Sequence, residues 1–293
     1  MGFSLNLWVD FQQMWQYPFM QHAFEAGTIV AITAGIVGYF VVLRRSAFAA
    51  HALAHVGFAG AAGSVVFGAA LLPSVPSADY PVIGLLAFTS VGGVIMALLG
   101  KRVSNRDTQI GIVLAFMLGL GVLFISLYKG YASEAYSILF GELLGISSDS
   151  VVLTFDASIA ILVVVSLVYR PLLFSSLDEN VAEAKGLPVV ALGVIFMLLV
   201  AAATSFAVQV IGVLLIFSLM VTPAATAQHL AKRPSRVMII SVAIALLSTW
   251  SGLFISFYEP YPVSFFITAI VFMFYIFVRL FHHRIISPLG ARG

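Results

Sequence analysis

Nine runs of apolar residues, each about long enough to cross a bilayer, limit what this sequence can become. They fall near 22–43, 47–71, 80–100, 108–128, 151–170, 188–207, 209–230, 236–257 and 262–281. A helix needs about 20 residues to cross a hydrocarbon core about 30 Å thick. Within that core every backbone N–H and C=O must be paired by the protein itself, which leaves helices and closed barrels. Barrel strands alternate apolar and polar in short segments of about ten residues, whereas these runs are continuously apolar. The expected fold is therefore all-α: a polytopic transmembrane bundle of about nine spans, in a range of eight to ten. The sixth and seventh runs touch at Ala207–Gln209, which predicts a tight hairpin or a broken helix there. No linker or low-complexity tract divides the chain, so 1–293 reads as one transmembrane domain. Residues 1–21 are expected as an interfacial segment and 282–293 as a cytoplasmic tail.

Charge is too scarce to cover a soluble surface. The 293 residues are 61% hydrophobic and only 9% charged, where a soluble domain carries about 25% charged residues. That excludes a soluble enzyme, a coiled coil and a disordered tail. A net charge of +2 gives no footprint for nucleic acid. With no cysteine, disulfides, thiolate metal sites and Cys nucleophiles are excluded. The start, MGFSLNLWVDFQQMWQYPFMQ, lacks a basic region followed by an apolar run, so a cleavable signal peptide is not expected. Trp8, Trp15 and Tyr17 suit the headgroup layer.

The basic residues orient the spans. If the turn at 44–46 faces the cytoplasm, the same side holds Arg44, Arg45, Lys101, Arg102, Arg106, Arg170, Lys185, Lys232, Arg233, Arg236, Arg279, Arg284 and Arg292. Those are 13 of the 14 Lys and Arg, and only Lys129 lies opposite. Positive charge collects on the cytoplasmic side, so the N-terminus is expected outside and the C-terminus inside. The outside then carries Asp10, Glu25, Asp79, Glu134, Glu142, Asp149, Asp156 and Glu259. The stretch 129–150 is too polar at its ends to span, and a short external or re-entrant helix is expected there.

Ionisable groups in a bilayer are costly and mark function by default. His51 and His55, in FAAHALAHVGFAG, are four apart and share one helical face. Neutral imidazoles at that spacing suit a shared metal ion, or simply hydrogen bonds to neighbouring helices. The alanines and glycines around them permit close helix approach or line a pathway. Glu25 and Asp156 lie near external span ends, solvated at the headgroups or placed at an external mouth. In the seventh run, Pro223 is expected to interrupt the helix. Thr222 would then cap a short surface helix, Ala224–Leu230; an ordinary span exit is the other reading. His229, His282 and His283 are expected solvated on the cytoplasmic side. No GxxxxGK[ST] occurs, so no ATP loop of that type is present. No HExxH or GxSxG occurs, so nothing supports a protease or hydrolase.

Four stretches resemble one family, the permease subunits of ATP-binding-cassette importers for zinc, manganese and iron. They are GYFVVLRRSAFAAHALAHVGFAG (Gly38–Gly60), YSILFGELLGIS (Tyr136–Ser147), ENVAEAKGLPV (Glu179–Val189) and VIGVLLIFSLMVTPAATAQHLAKR (Val210–Arg233). The last two also resemble, more distantly, the cobalamin and siderophore permeases. The resemblance runs from about residue 22 over nearly the whole chain. It implies a type II importer-like permease in a bacterial plasma membrane, forming a homodimer with the pathway along its two-fold axis. It implies a separate cytoplasmic ATPase and an extracytoplasmic metal-binding protein as partners. No cofactor is then permanently bound, and the cargo is a divalent metal. By position, Thr222, Pro223, Ala224, Ala225, Thr226, Ala227, Gln228, His229 and Leu230 would dock into the ATPase.

The chain departs from the family pattern at two places. Where the family has Asp and then His four residues later, this chain has His51 and His55, and Ala59 stands in place of a usual proline. An imidazole in place of a hard oxygen favours zinc over manganese or iron. Two copies around a dimer axis would bring four imidazoles together, a set suited to tetrahedral zinc. The expected activity is ATP-driven import by alternating access, with His51 and His55 as the metal site. The rival readings are a secondary metal/proton transporter and a passive metal channel using the same pair.

Overall fold

The structure, a computed structural model, describes residues 7–71, 73–76, 79–99, 106–127, 141 and 143–286. Among these the chain forms helices and no strand. They are α1 (Leu7–Trp15), α2 (Pro18–Leu43), α3 (Ala47–Leu71), α4 (Tyr80–Leu99), α5 (Arg106–Leu127), α6 (Ser148–Leu177), α7 (Glu179–Ala184), α8 (Val189–Ile211), α9 (Val213–Leu230), α10 (Pro234–Tyr258) and α11 (Val263–Ile286). Eight of them are long and apolar enough to cross a membrane. The ninth expected span is α9, at 18 residues the shortest of the set.

Two groups of helices make up the bundle. In one, α3 packs against α4 and α5, and α4 against α8. In the other, α2, α9 and α10 pack on one another and α11 packs on α9 and α10, with α6 lying along α2; α8 also packs on α2 and α6 and so joins the two groups. Between helices in lipid, close approach rests on small residues, because apolar side chains gain little by leaving an apolar solvent. A Cβ on Gly60 of α3 would run into the carbonyl oxygen of Gly84 on α4 and come within 2.6 Å of Phe88 Cβ. In the second group a Cβ on Gly38 of α2 would strike the Met220 carbonyl of α9. Hydroxyls add to this packing. Thr89 on α4 and Ser205 on α8 are 2.7 Å apart at their oxygens, and Ser241 on α10 donates to the Gly35 carbonyl of α2 at 3.0 Å.

Several boundaries differ from expectation, each for a local reason. The α2 helix starts at Pro18 rather than near 22, because proline's fixed φ and missing N–H suit a first turn. Ahead of it, Trp15 stacks on Phe11 at 5.5 Å and Tyr17 lies 5.6 Å from Phe257; the Trp8 side chain is outside the described residues. The fifth span does not stop near 170: α6 continues through Pro171 to Leu177. Arg44, in the α2–α3 turn, holds that extension by donating to the hydroxyls of Ser175 and Ser176 at 3.1 and 3.2 Å. Its guanidinium also lies 5.1 Å from the ring centre of Phe196 on α8. The sixth and seventh runs part at Gly212 rather than at 207–209, because Gly212 takes φ 80, ψ 165, a conformation closed to residues with a Cβ. The expected helix in 129–150 falls mostly outside the described residues, as do Lys129, Glu134 and Glu142.

Candidate metal site

The α3 helix has two unlike faces. Its small residues press against α4 and α5, which leaves His51 and His55 on the remaining side. Both are half-buried. Their ring centres are 4.7 Å apart with planes at 84°, so the i,i+4 spacing brings the imidazoles into contact edge to face. The ring of Phe217 of α9 also packs on His51, 4.9 Å away between centres and tilted by 65°. The Nδ1 of His51 is buried and has no hydrogen-bond partner among the described residues. A buried polar atom left unpaired is unfavourable by about 1–3 kcal/mol, and a bound ion or water is one way such an atom is satisfied.

Two imidazoles supply half of the four ligands that zinc takes in a closed site. Among the described residues no group of three or more His, Cys, Asp or Glu comes together, so one chain by itself offers the pair and nothing more. Beside the pair, α9 keeps a half-exposed stripe of Phe217, Ser218, Val221, Thr222 and Ala225, ending in exposed Gln228. The spacing of three and four makes this one helical face.

The other expected site residues lie elsewhere. Glu25 is exposed and lines a groove of about 550 Å³ with Phe11, Trp15, Phe24, Phe155 and Trp250. Asp156 is exposed on α6, on the same helical face as Val152 and Ile159. Neither joins the histidines in a metal-ligating cluster. The segment Thr222–Leu230 is the second half of α9, and here two expectations are corrected. Pro223 does not interrupt the helix, and Thr222 does not cap a new one, because α9 runs unbroken from Val213 to Leu230. Proline removes one N–H, and in the following turn the Thr226 hydroxyl donates to the Thr222 carbonyl at 2.7 Å. At its end His229 lies 6.2 Å from the ring of Tyr275 on α11. The Tyr275 hydroxyl in turn accepts from Arg279 at 2.7 Å.

Phe217 and the Gly212 joint were not among the sequence candidates. A lone Phe in an apolar run carries no signal of its own, and only the fold brings it to His51. The joint had a signal, a glycine a few residues past the point where the two runs were seen to touch.

Comparison with known proteins agrees with this architecture. The ABC 3 transport family matches residues 16–282. The manganese transport system membrane protein MntC of Halalkalibacterium halodurans is 30% identical over 256 residues, covering 86% of this chain and 83% of that one. The high-affinity zinc uptake system membrane protein ZnuB of Buchnera aphidicola is 29% identical over 241 residues, covering 82% and 88%. Among solved structures, PsaBC from Streptococcus pneumoniae in complex with Fab matches with a TM-score of 0.80 at 26% identity, covering 97% of this chain and 99% of that one.

Proposed function

The chain belongs to the ABC 3 transport family, and from that premise we propose that it is the permease subunit of an ATP-driven importer for zinc, with His51 and His55 as the ligands its cargo meets in the membrane. At the coarser level it is a membrane-embedded transport subunit of a metal importer, not an enzyme; relatives carry manganese in one case and zinc in another. The observation that supports a metal site at this place is the imidazole pair itself. The two rings touch at 4.7 Å on a half-buried helix face, with one nitrogen unpaired.

The mechanism follows from what the residues offer. A second copy of the chain, facing the first across a two-fold axis, would complete a four-imidazole set. Neutral imidazole is a borderline ligand and suits zinc better than the harder manganese ion. A binding protein delivers the ion on the acidic outer side. ATP turnover in a separate cytoplasmic chain acts on Thr222–Leu230. Rigid motion of the helices then exposes the site to one side of the membrane at a time. The permease makes and breaks no covalent bond.

The test is uptake into vesicles that hold the permease with its ATPase and binding protein, comparing zinc, manganese and iron with and without ATP. Zinc should enter fastest and only with ATP, and His51→Ala and His55→Ala should each abolish uptake while the protein stays folded and monodisperse. Normal zinc uptake by both variants would refute the site. Uptake driven by a proton gradient without ATP would make the chain a secondary transporter, and leakage without either would make it a channel.

A further inference from the structure

His51 belongs to one helix group and Phe217 to the other. A histidine that binds metal is ordinarily held by a hydrogen bond from its second nitrogen to a carboxylate, carbonyl or water, which fixes the ring's orientation. The buried Nδ1 of His51 has no such partner among the described residues. What surrounds the ring instead is two aromatic edges, His55 at 4.7 Å and 84° and Phe217 at 4.9 Å and 65°. His55 rides on the same helix as His51 and moves with it; Phe217 does not.

We propose that Phe217 is a positioning residue that sets the ring of His51 and makes its orientation follow the movement of α9. This rests on the metal-site reading above. The α9 helix is unbroken, so Phe217 and Thr222, where the segment proposed to meet the ATPase begins, lie about 8 Å apart on one rod, at 1.5 Å per residue. The upper end of that rod is the single-residue joint at Gly212 (φ 80). Another covalent link between the groups, the turn between α2 and α3, also contains a positive-φ residue, Arg45 at 52°. Close glycine contacts hold α9 to α2, through Gly38 and Met220, and α3 to α4, through Gly60 and Gly84. Beside His51 the contact across the groups is ring against ring. A shift of α9 relative to α3 therefore changes what holds the His51 ring, while the helices inside each group keep their packing. That is what a ligand needs if it is to grip the ion in one state and release it in the other.

The test uses the complete complex in vesicles, with zinc as the ion. Phe217→Ala should raise the KM for zinc about tenfold, the lower end of the effect of removing a group that orients a metal-bound imidazole. It should also reduce the zinc carried per ATP hydrolysed. Phe217→Leu keeps the bulk without the aromatic edge and should behave like Phe217→Ala; Phe217→Tyr should restore the wild-type KM. In a His51→Asp background there is no ring to hold, so Phe217→Ala should change the KM by less than about twofold, a non-additivity expected only of residues that act through each other. A wild-type KM and stoichiometry in both Phe217→Ala and Phe217→Leu would overturn the inference, as would an unchanged Phe217→Ala effect in the His51→Asp background. If His51→Ala and His55→Ala lose uptake while the Phe217 variants do not, only this inference fails. If the histidine variants carry zinc normally, the site reading fails with it.

Discussion

The two kinds of helix contact in this bundle are built from different parts. Inside each group, backbone lies on backbone. Gly60 meets Gly84, Gly38 meets the Met220 carbonyl, and hydroxyls such as Thr89 and Ser205 bridge what remains. Between α3 and α9 the described contact at the candidate site is side chain on side chain, His51 against Phe217. Backbone contacts set a helix spacing with no slack, because a carbonyl cannot change rotamer. Ring contacts can slide and turn at little cost. The difference teaches where such a molecule could move: on the proposed mechanism each group would travel as a block, with the imidazole pair where the blocks meet.

Substitutions can break that contrast in a definite order. The largest effect is expected at Gly60→Val. Its side chain would collide with the Gly84 carbonyl and Phe88. Overpacking commonly costs about 1–3 kcal/mol where neighbours can yield, and backbone yields least. Little folded protein should be recovered, as read by yield and size-exclusion profile in detergent. By contrast, Phe217→Leu should purify like wild type. Next is His51→Asp, which should leave folding intact and move the zinc-to-manganese uptake ratio toward manganese by about tenfold, as expected for replacing an imidazole by a hard oxygen. Competition between the two ions in vesicles measures this, and an unchanged ratio would show that the pair does not set selectivity.

A smaller change is expected at Ser205→Ala. The Thr89 hydroxyl keeps its bond to the Leu85 carbonyl at 2.7 Å, so the loss should be about 1 kcal/mol, the net worth of one hydrogen bond, seen as a modest drop in the thermal unfolding midpoint. Smallest of all, Glu25→Gln and Asp156→Asn should alter uptake by less than about twofold, because exposed charges interact weakly through high-dielectric surroundings. A large loss at either position would bring the outer mouth into the transport path.

Much of the fold could be read from hydropathy, because a bilayer admits few structures and each span announces itself by length. The histidine pair was legible too, since i,i+4 spacing fixes two side chains on one face before any tertiary contact exists. What could not be read depended on partners remote in sequence. Pro223 looked like a break, but its helix carries on, and α6 runs past the expected end near 170. Arg44 reaches Ser175 and Ser176 from the α2–α3 turn. Phe217 looked like any apolar residue until α9 was placed beside α3. The exact break between α8 and α9 needed the backbone of Gly212, which hydropathy does not register.

The central claim is that the imported ion is held by paired imidazoles from α3. X-ray absorption on zinc trapped in the vanadate-arrested complex of permease and ATPase tests it most directly. The account predicts a first shell dominated by nitrogen, with the outer-shell scattering of imidazole rings, and loss of that signal in His51→Ala and in His55→Ala. A first shell made only of oxygen, or an imidazole signal that persists in both variants, would contradict it.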